Sequence, residues 1–235
     1  MSASAWSPRT LILQHEAATP PGHMNAWLAE QSAMVEVLRI DQVEPQARPT
    51  DFDLIVSLGS EFAAFDDSIP FVPREVRFFE EAIESGVPIL GLCFGGQLLA
   101  RVLGSRVYRS QQSEIGWLPV RTNDPDLVGT GPWFQWHFDV FTAPPGARLI
   151  AETDMCAQAY VAGRSLGLQF HPEVTPEIMD DWVRAYRHEL DAEGIDADVL
   201  LEETNRRAQE SKATSWVLFE GYLDGVAGLG SRAAS

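Results

Sequence analysis

Short apolar runs alternate with helical patterns over about the first hundred residues of the chain. Several runs are apolar almost throughout, which is typical of strands buried on both faces of a sheet. The predicted strands cover residues 10–14, 34–40, 54–58 and 88–92, and the predicted helices cover residues 23–33 and 74–85. Strands that alternate with helices in this way indicate βαβ units and a parallel sheet with helices on both faces.

The pattern changes after Gly104, where turn residues rather than helices separate the apolar segments. These segments lie at residues 106–109, 116–121, 133–141, 147–150, 157–161 and 166–170. We expect them to extend the sheet or to form a small antiparallel layer. The predicted fold class is therefore α/β, with an open, twisted, mostly parallel sheet flanked by helices and a small antiparallel extension.

Helical spacing returns near the carboxyl terminus. One helix is predicted from Pro176 to about residue 190, and residues 197–212 and 215–226 form one or two more. The predicted organisation is a flexible segment at residues 1–8, one domain at residues 9–190, a helical extension packed on it at residues 191–227, and a disordered tail at residues 228–235.

The composition excludes several classes of protein. With 34 acidic against 17 basic residues, the formal net charge is −17, which argues against nucleic-acid binding and against docking on an anionic membrane. The two cysteines form no disulfide framework, and no Cys/His cluster has zinc spacing. Residues 1–9 lack the pattern of a signal peptide, and no apolar run is long enough to span a bilayer. We therefore expect a cytoplasmic protein without a metal or cofactor.

Cys93 lies where a strand pattern passes into a helix pattern, within the sequence Gly91-Leu-Cys-Phe-Gly95. A nucleophile on a sharp strand-to-helix turn needs small residues two positions away on each side. A cysteine that only packs in a core does not need these glycines. The spacing therefore favours a catalytic thiol over a small buried hydrophobic residue.

A second segment, Gln169-Phe-His-Pro-Glu173, supplies a histidine at the end of another apolar strand. Residues two apart in an extended segment project to the same side, so His171 and Glu173 can act together. Pro172 stiffens the segment between them. Together with an elbow cysteine, this pair predicts a Cys-His-Glu triad.

The two motifs together resemble those of the class I, or triad-type, glutamine amidotransferases. The similarity covers roughly residues 9–190 and is greatest to the stand-alone members that resemble the amidotransferase domain of GMP synthetase. The resemblance implies a flavodoxin-like fold and glutamine as the substrate. Cys93 would attack the side-chain carbonyl, His171 would transfer the proton to the departing ammonia, and Glu173 would orient the imidazole.

Hydrolysis of an amide builds negative charge on oxygen, so two aligned donors are needed. One is expected to be the amide of Phe94, at the start of the elbow helix. The other is expected from the loop at Gly59 and Ser60. The family usually has Gly-Gly in this loop, and serine at the second position is tolerable if its φ stays negative.

The resemblance also indicates residues that contact the substrate. Gln97 matches the family's glutamine-pocket residue, while residues 114–117 and 135–139 resemble two further pocket segments. From the residues alone, Gln97 also fits an exposed helix position and His137 a structural position in a strand. The residues expected to bind substrate are Gln97, Gly116, Trp136 and His137.

Two further residues have potentially reactive side chains but lie outside the two motifs. His15 lies at the carboxyl end of a strand, where open α/β sheets bind ligands. Cys156 has neither an elbow nor a paired base, and we interpret it as structural.

Three functions remain open at this point. The leading hypothesis is a glutaminase that supplies ammonia to a separate synthetase, because the sequence lacks a phosphate-binding Gly-x-x-x-x-Gly-Lys-Ser/Thr loop. The second is a γ-glutamyl peptidase or hydrolase that cleaves a larger γ-glutamyl amide with the same triad. The third is a non-catalytic regulatory protein on this fold, which would be expected to have a broken triad.

Overall fold

The computed structural model describes residues 7–230, and its main feature is a central sheet. The strands are β1 (Arg9–Gln14), β2 (Met34–Arg39), β3 (Leu54–Ser57), β4 (Ile89–Leu92), β5 (Val107–Leu118), β6 (Arg121–Thr122), β7 (Trp133–Phe141), β8 (Arg148–Glu152), β9 (Ala157–Ala162) and β10 (Ser165–Leu168). The helices are α1 (Gly22–Glu30), α2 (Val72–Glu84), α3 (Phe94–Val102), α4 (Pro176–Ala185), α5 (Arg187–Glu193) and α6 (Ala197–Gly221). A π-helical turn, Tyr222–Ala227, follows α6.

The main sheet has eight strands in the order β2-β1-β3-β4-β10-β9-β8-β6. The five strands from β2 to β10 run parallel, and β9, β8 and β6 continue the sheet in antiparallel pairing. A separate two-stranded antiparallel sheet joins β5 and β7. This confirms the predicted fold class, and the segments after Gly104 both extend the sheet and form an extra layer.

Alternate residues of the central strands enter two different apolar clusters. Ile12 of β1 faces α1 and the end of α6, whereas its neighbours Leu11 and Leu13 face α2 and α3. Because both faces of the sheet are covered, the strands read as nearly continuous apolar runs. The carboxyl ends of β3, β4 and β10 lie side by side, which brings the segments that follow them together.

Several element boundaries differ from the predicted ones. The helix predicted to reach residue 190 ends at Ala185, and Tyr186 (φ −114°, ψ 25°) separates α4 from α5. The break places the ring of Tyr186 6.0 Å from that of Trp136. The two strands predicted at residues 106–121 are joined in β5, which has an irregularity between Arg109 and Glu114.

The carboxyl-terminal segments form the single long helix α6, and the turn after it packs in the same core as α1. Helix α5 crosses the predicted boundary between residues 190 and 191, and the division into a domain and an extension stays a prediction. Of the segments predicted to be flexible or disordered, residues 1–6 and 231–235 lie outside the described residues. Within residues 7–230, no helix combines the length and apolar composition that crossing a bilayer requires.

Candidate active site

Cys93 lies at a sharp turn between β4 and α3. Its backbone has φ +50° and ψ −104°, a conformation that residues with a side chain rarely adopt. The Cys93 amide donates to the Leu168 carbonyl of β10 (2.9 Å), which fixes the turn on the sheet. A side chain at Gly91 would collide with the Gly95 backbone, and one at Gly95 would collide with Ser57. The turn therefore requires both glycines that flank Cys93 in the sequence.

His171 and Glu173 follow β10, and their side chains form a buried pair. His171 Nδ1 lies 2.7 Å from Glu173 Oε1, and the two side chains are 4% and 2% exposed. The backbone of this segment is fixed at both residues, because the His171 amide donates to the Phe134 carbonyl (2.8 Å) and the Glu173 carbonyl accepts from the His23 amide (2.9 Å). With Nδ1 held by Glu173, Nε2 is the ring nitrogen that remains for proton transfer.

The surroundings of His171 favour its charged form. Burial alone would lower the pKa of the imidazole, but the Glu173 carboxylate and the Cys93 sulfur outweigh burial and raise the pKa of His171 above its usual value. A protonated His171 stabilises a thiolate at Cys93, which is the nucleophilic form of the sulfur. The site is therefore suited to attack by sulfur followed by proton transfer from the imidazole.

Cys93 and His171 line the same cavity, whose volume is about 640 Å³ including its open mouth. The backbone of Gly59 lies against both residues, since a Cβ placed on Gly59 would be 2.8 Å from His171 Cε1 and 3.8 Å from Cys93 Cβ. The structure thus brings the elbow, the His-Pro-Glu segment and the loop after β3 to one place. Glu173 lies behind the imidazole and does not line the cavity.

Both segments that the sequence predicts as sources of oxyanion donors lie beside Cys93. Phe94 is the first residue of α3, and amides in the first turn of a helix have no acceptor within the helix. Gly59 and Ser60 line the cavity from the loop after β3. Among residues 7–230, only Ser32 and Cys93 combine a side chain with positive φ, so Ser60 meets the condition that the sequence set for a serine in this loop.

The residues expected to bind substrate are divided between two places. Gln97, Trp136 and His137 line the cavity. Gln97 uses its amide nitrogen within the protein, donating to the Asp139 carbonyl at 2.8 Å. Gly116 pairs with Gln135 in the β5–β7 sheet and is not among the residues that line the cavity.

A second Cys-His-Glu group lies beside the cavity but differs from the predicted triad. Its members are Glu114, His137 and Cys156, whose side-chain donor atoms all lie within 4.8 Å of one another. Burial and the Glu114 carboxylate raise the pKa of the Cys156 thiol to about 12, so the sulfur stays protonated. The Gln158 amide nitrogen contacts both Glu114 (2.6 Å) and Cys156 (3.3 Å). This group is a hydrogen-bonded network around a protonated thiol, which is neither a nucleophile nor a good metal ligand in that form.

A family model described as glutamine amidotransferase class-I matches residues 26–184 of the chain. The chain belongs to this family. Its fold is similar to the crystal structure of a glutamine amidotransferase from Thermotoga maritima, with a TM-score of 0.85, 31% identity, and coverage of 92% of this chain and 98% of that chain. It is equally similar, at a TM-score of 0.85, to a glutamine amidotransferase from Methylobacillus flagellatus, with 28% identity over 94% of this chain and 96% of that one.

Curated relatives in the amidotransferase family include longer enzymes. The glutamine-hydrolysing GMP synthase of Thermus thermophilus is 38% identical over an alignment of 180 residues that covers 70% of this chain and 33% of that protein. The corresponding enzyme of Vibrio vulnificus is 34% identical over an alignment of 144 residues that covers 57% of this chain and 27% of that protein. The chain therefore spans about a third or less of the length of these relatives.

Two buried residues beside this candidate site are not among the site residues that the sequence predicts. Gln169 is fully buried, and its Nε2 lies 3.7 Å from Cys93 Sγ. Its position two residues before His171 was the available signal, because alternate residues of an extended segment share a side. His15 does not line the cavity, and instead its Nδ1 lies 3.1 Å from the Gly59 carbonyl oxygen.

Proposed function

We propose that this chain hydrolyses the side-chain amide of glutamine and releases ammonia for use by a separate synthetase. The observation that carries the proposal is the convergence of Cys93, His171 and the Gly59 loop on one cavity, with Glu173 bonded to the imidazole. Family membership supports the same chemistry.

In the first half of the reaction, the Cys93 thiolate attacks the carbonyl carbon of the glutamine side chain. The carbonyl oxygen becomes an oxyanion, which the amides of Phe94 and Ser60 stabilise as hydrogen-bond donors. The imidazolium of His171 then protonates the departing nitrogen, the carbon–nitrogen bond breaks, and ammonia leaves. The product bound to the enzyme is a γ-glutamyl thioester on Cys93.

In the second half, a water molecule takes the place of ammonia. His171, now neutral, accepts a proton from water as the oxygen attacks the thioester carbonyl. The carbon–sulfur bond breaks, the Cys93 thiolate is restored beside a protonated His171, and glutamate leaves. Glu173 keeps Nδ1 of the ring protonated throughout, and it stabilises the positive charge of the ring whenever Nε2 is protonated as well.

The names of the relatives support the proposal that a synthetase uses the ammonia. GMP synthases that match this chain are about three times its matched length, and they are named as glutamine-hydrolysing enzymes. We propose that a separate synthetase uses the ammonia released here.

A γ-glutamyl hydrolase is the second candidate, and the side chains that line the cavity support it. Phe62, Tyr186 and Glu189 line the same cavity as Cys93. A leaving group larger than ammonia would find aromatic and acidic contacts on these side chains. The chemistry at Cys93 would be the same, with an amine released in place of ammonia.

Steady-state kinetics on purified protein separate the candidates. Glutamine and a series of γ-glutamyl amines are supplied at equal concentration, and glutamate release is measured with Cys93→Ala as the control. Faster release from glutamine, increased further by a synthetase that co-purifies with the chain, supports the first proposal. Rapid cleavage of a conjugate with slow glutamine turnover supports the hydrolase, and no release above the Cys93→Ala control contradicts both.

A further inference from the structure

A histidine and a glutamate are completely buried beneath the loop that carries Gly59 and Ser60. His15 Nε2 lies 2.9 Å from Glu75 Oε2, and both side chains have no exposed surface. The other oxygen of Glu75 accepts a hydrogen bond from the Ser57 hydroxyl at 2.7 Å. The His15 ring packs against the rings of Phe71 and Phe94, with centroids 5.3 and 4.5 Å away. The pair therefore lies in an apolar part of the core.

The hydrogen bond between His15 and Gly59 can run in only one direction. His15 Nδ1 lies 3.1 Å from the Gly59 carbonyl oxygen, and a carbonyl oxygen can only accept. Nδ1 must therefore carry a proton. On the other side of the ring, Nε2 and Glu75 Oε2 share one hydrogen-bonding proton. Nδ1 donates to the Gly59 carbonyl whether that shared proton is on Nε2 or on Oε2.

This hydrogen bond sets the direction of the next amide. The Gly59–Ser60 peptide bond is trans, so the Gly59 carbonyl and the Ser60 N–H point in opposite directions. The carbonyl faces His15, which is buried and outside the cavity. The N–H of Ser60 consequently points away from His15, and Ser60 lines the same cavity as Cys93.

The ends of the loop are fixed separately from this peptide. The Leu58 amide donates to the Leu13 carbonyl (3.1 Å), and the Glu61 amide donates to Glu16 Oε1 (2.9 Å). Between these two anchors, the Gly59 carbonyl is held by His15. Rotation of the central peptide would break that bond and leave a buried imidazole N–H without an acceptor, which is costly.

We propose that His15, oriented by Glu75, is a positioning residue that holds the Ser60 amide in place as the second oxyanion donor. The inference rests on the proposed amide hydrolysis, and it assigns a role to a buried polar pair that the reaction does not otherwise use. Apolar side chains could fill this space without the cost of desolvating two polar groups. A need to fix the direction of one peptide explains why polar residues are present.

The test compares two substitutions of His15 whose new side chains have nearly the same shape. His15→Leu removes the donor, whereas His15→Asn places a side-chain amide N–H close to the position of Nδ1. The substrate is γ-glutamyl p-nitroanilide, which reports acyl transfer whether the natural leaving group is ammonia or an amine. We expect kcat to fall on the order of 10- to 100-fold in His15→Leu with little change in KM, because loss of a complete oxyanion donor costs about 10²–10³ in kcat. His15→Asn should recover most of this loss.

A second reaction of the same sulfur distinguishes positioning from general damage to the site. Alkylation of Cys93 by iodoacetamide forms no oxyanion, so its rate should be equal in the wild type and in both variants. Equal kcat for wild type and His15→Leu would overturn the inference, as would a loss of alkylation that parallels the loss of kcat. If the wild type cleaves no γ-glutamyl substrate at all, the proposed function itself fails.

A structure of the wild-type protein with an aldehyde bound to Cys93 provides a measurement that does not depend on the folding of a variant. Glutamate γ-semialdehyde adds to a cysteine thiolate and produces an alkoxide at the position of the oxyanion. We expect that oxygen to lie about 2.7–3.1 Å from the Ser60 amide nitrogen, with the Gly59 carbonyl still on His15. An adduct oxygen directed away from Ser60 would overturn the inference.

Discussion

The side-chain amide of Gln169 points at the sulfur of Cys93, with its Nε2 3.7 Å from Sγ. Its carbonyl oxygen lies 3.4 Å from Nε2 of Gln97, so the direction of the amide is set within the protein. An N–H donor at this distance favours a negatively charged sulfur over a neutral thiol. Gln169 therefore offers the Cys93 sulfur a hydrogen-bond donor from within the protein.

Substitution of Gln169 should alter the reactivity of the sulfur. We expect Gln169→Glu to slow iodoacetamide alkylation of Cys93 at neutral pH by about tenfold or more, because a carboxylate beside the sulfur disfavours the thiolate. Gln169→Leu should slow it less, since it removes a donor without adding a charge. Equal alkylation rates in the wild type and Gln169→Glu would show that this contact does not act on the sulfur.

The backbone of Cys93 predicts an unusual order of stability among small substitutions. At φ +50°, glycine avoids a steric cost that alanine retains, so Cys93→Gly should be more stable than Cys93→Ala by about 1 kcal/mol. Cys156 is the matched control, because its φ is not positive. There the order should reverse, with alanine more stable than glycine. Urea denaturation of the four variants measures both differences, and the same order at the two sites would contradict the strain at Cys93.

Gly59 should be sensitive to the smallest possible side chain. A Cβ on Gly59 would lie 2.8 Å from His171 Cε1, which is too close, so Gly59→Ala must displace the imidazole or the loop. We expect kcat to fall by about 10²-fold or more, as for a misplaced catalytic group, while the protein remains folded. Gly129→Ala is the control, because nothing lies within 4 Å of a Cβ at that position. Equal activity of the two variants would show that the loop and imidazole tolerate the added group.

The pair of His171 and Glu173 predicts how stability depends on pH. Since the folded-state pKa of His171 is raised, the pair stabilises the fold fully below the unfolded pKa of about 6.5. That contribution is lost as pH rises through the folded-state pKa. Glu173→Gln removes the carboxylate that raises the pKa, so the decline should become smaller and move to lower pH. Because the pKa of His171 is raised to about 10 in the folded protein, free energies of unfolding between about pH 6 and 11 measure this loss, at about 1.4 kcal/mol for each unit of pKa difference. Identical pH dependence in the wild type and the variant would contradict the pairing.

The sequence predicted those parts of the fold whose signals are local. The strand, elbow and helix around Cys93 follow from one continuous stretch, because the glycines that the turn requires are adjacent to it in the sequence. The antiparallel strands could be located but not paired, since pairing depends on partners far away along the chain. The division between α4 and α5 at Tyr186 was missed because the contact with Trp136 comes from a different element.

The same distinction applies to the site. Cys93, His171 and Glu173 lie in sequence motifs, so the sequence alone predicts them as site residues. His15 and Glu75 are sixty positions apart, and neither lies in a motif with the other. Gly116 lies in a segment that resembles a pocket segment, yet its strand places it opposite Gln135, outside the cavity. The resemblance of a segment to a family motif predicts which part of the chain lies near the pocket. Whether one residue of that segment contacts the cavity depends on the pairing of its strand and on the face of the sheet to which its side chain points.

The proposed chemistry requires a covalent γ-glutamyl group on Cys93 during turnover. Rapid acid quenching of the protein with a large excess of glutamine, followed by peptide mass spectrometry, detects that thioester. We predict that the peptide containing Cys93 gains the mass of one γ-glutamyl group, that hydroxylamine removes it, and that Cys93→Ala shows no addition. Glutamate release at the full rate by Cys93→Ala, or a γ-glutamyl group attached to Cys156 instead, would contradict the assignment of Cys93 as the nucleophile.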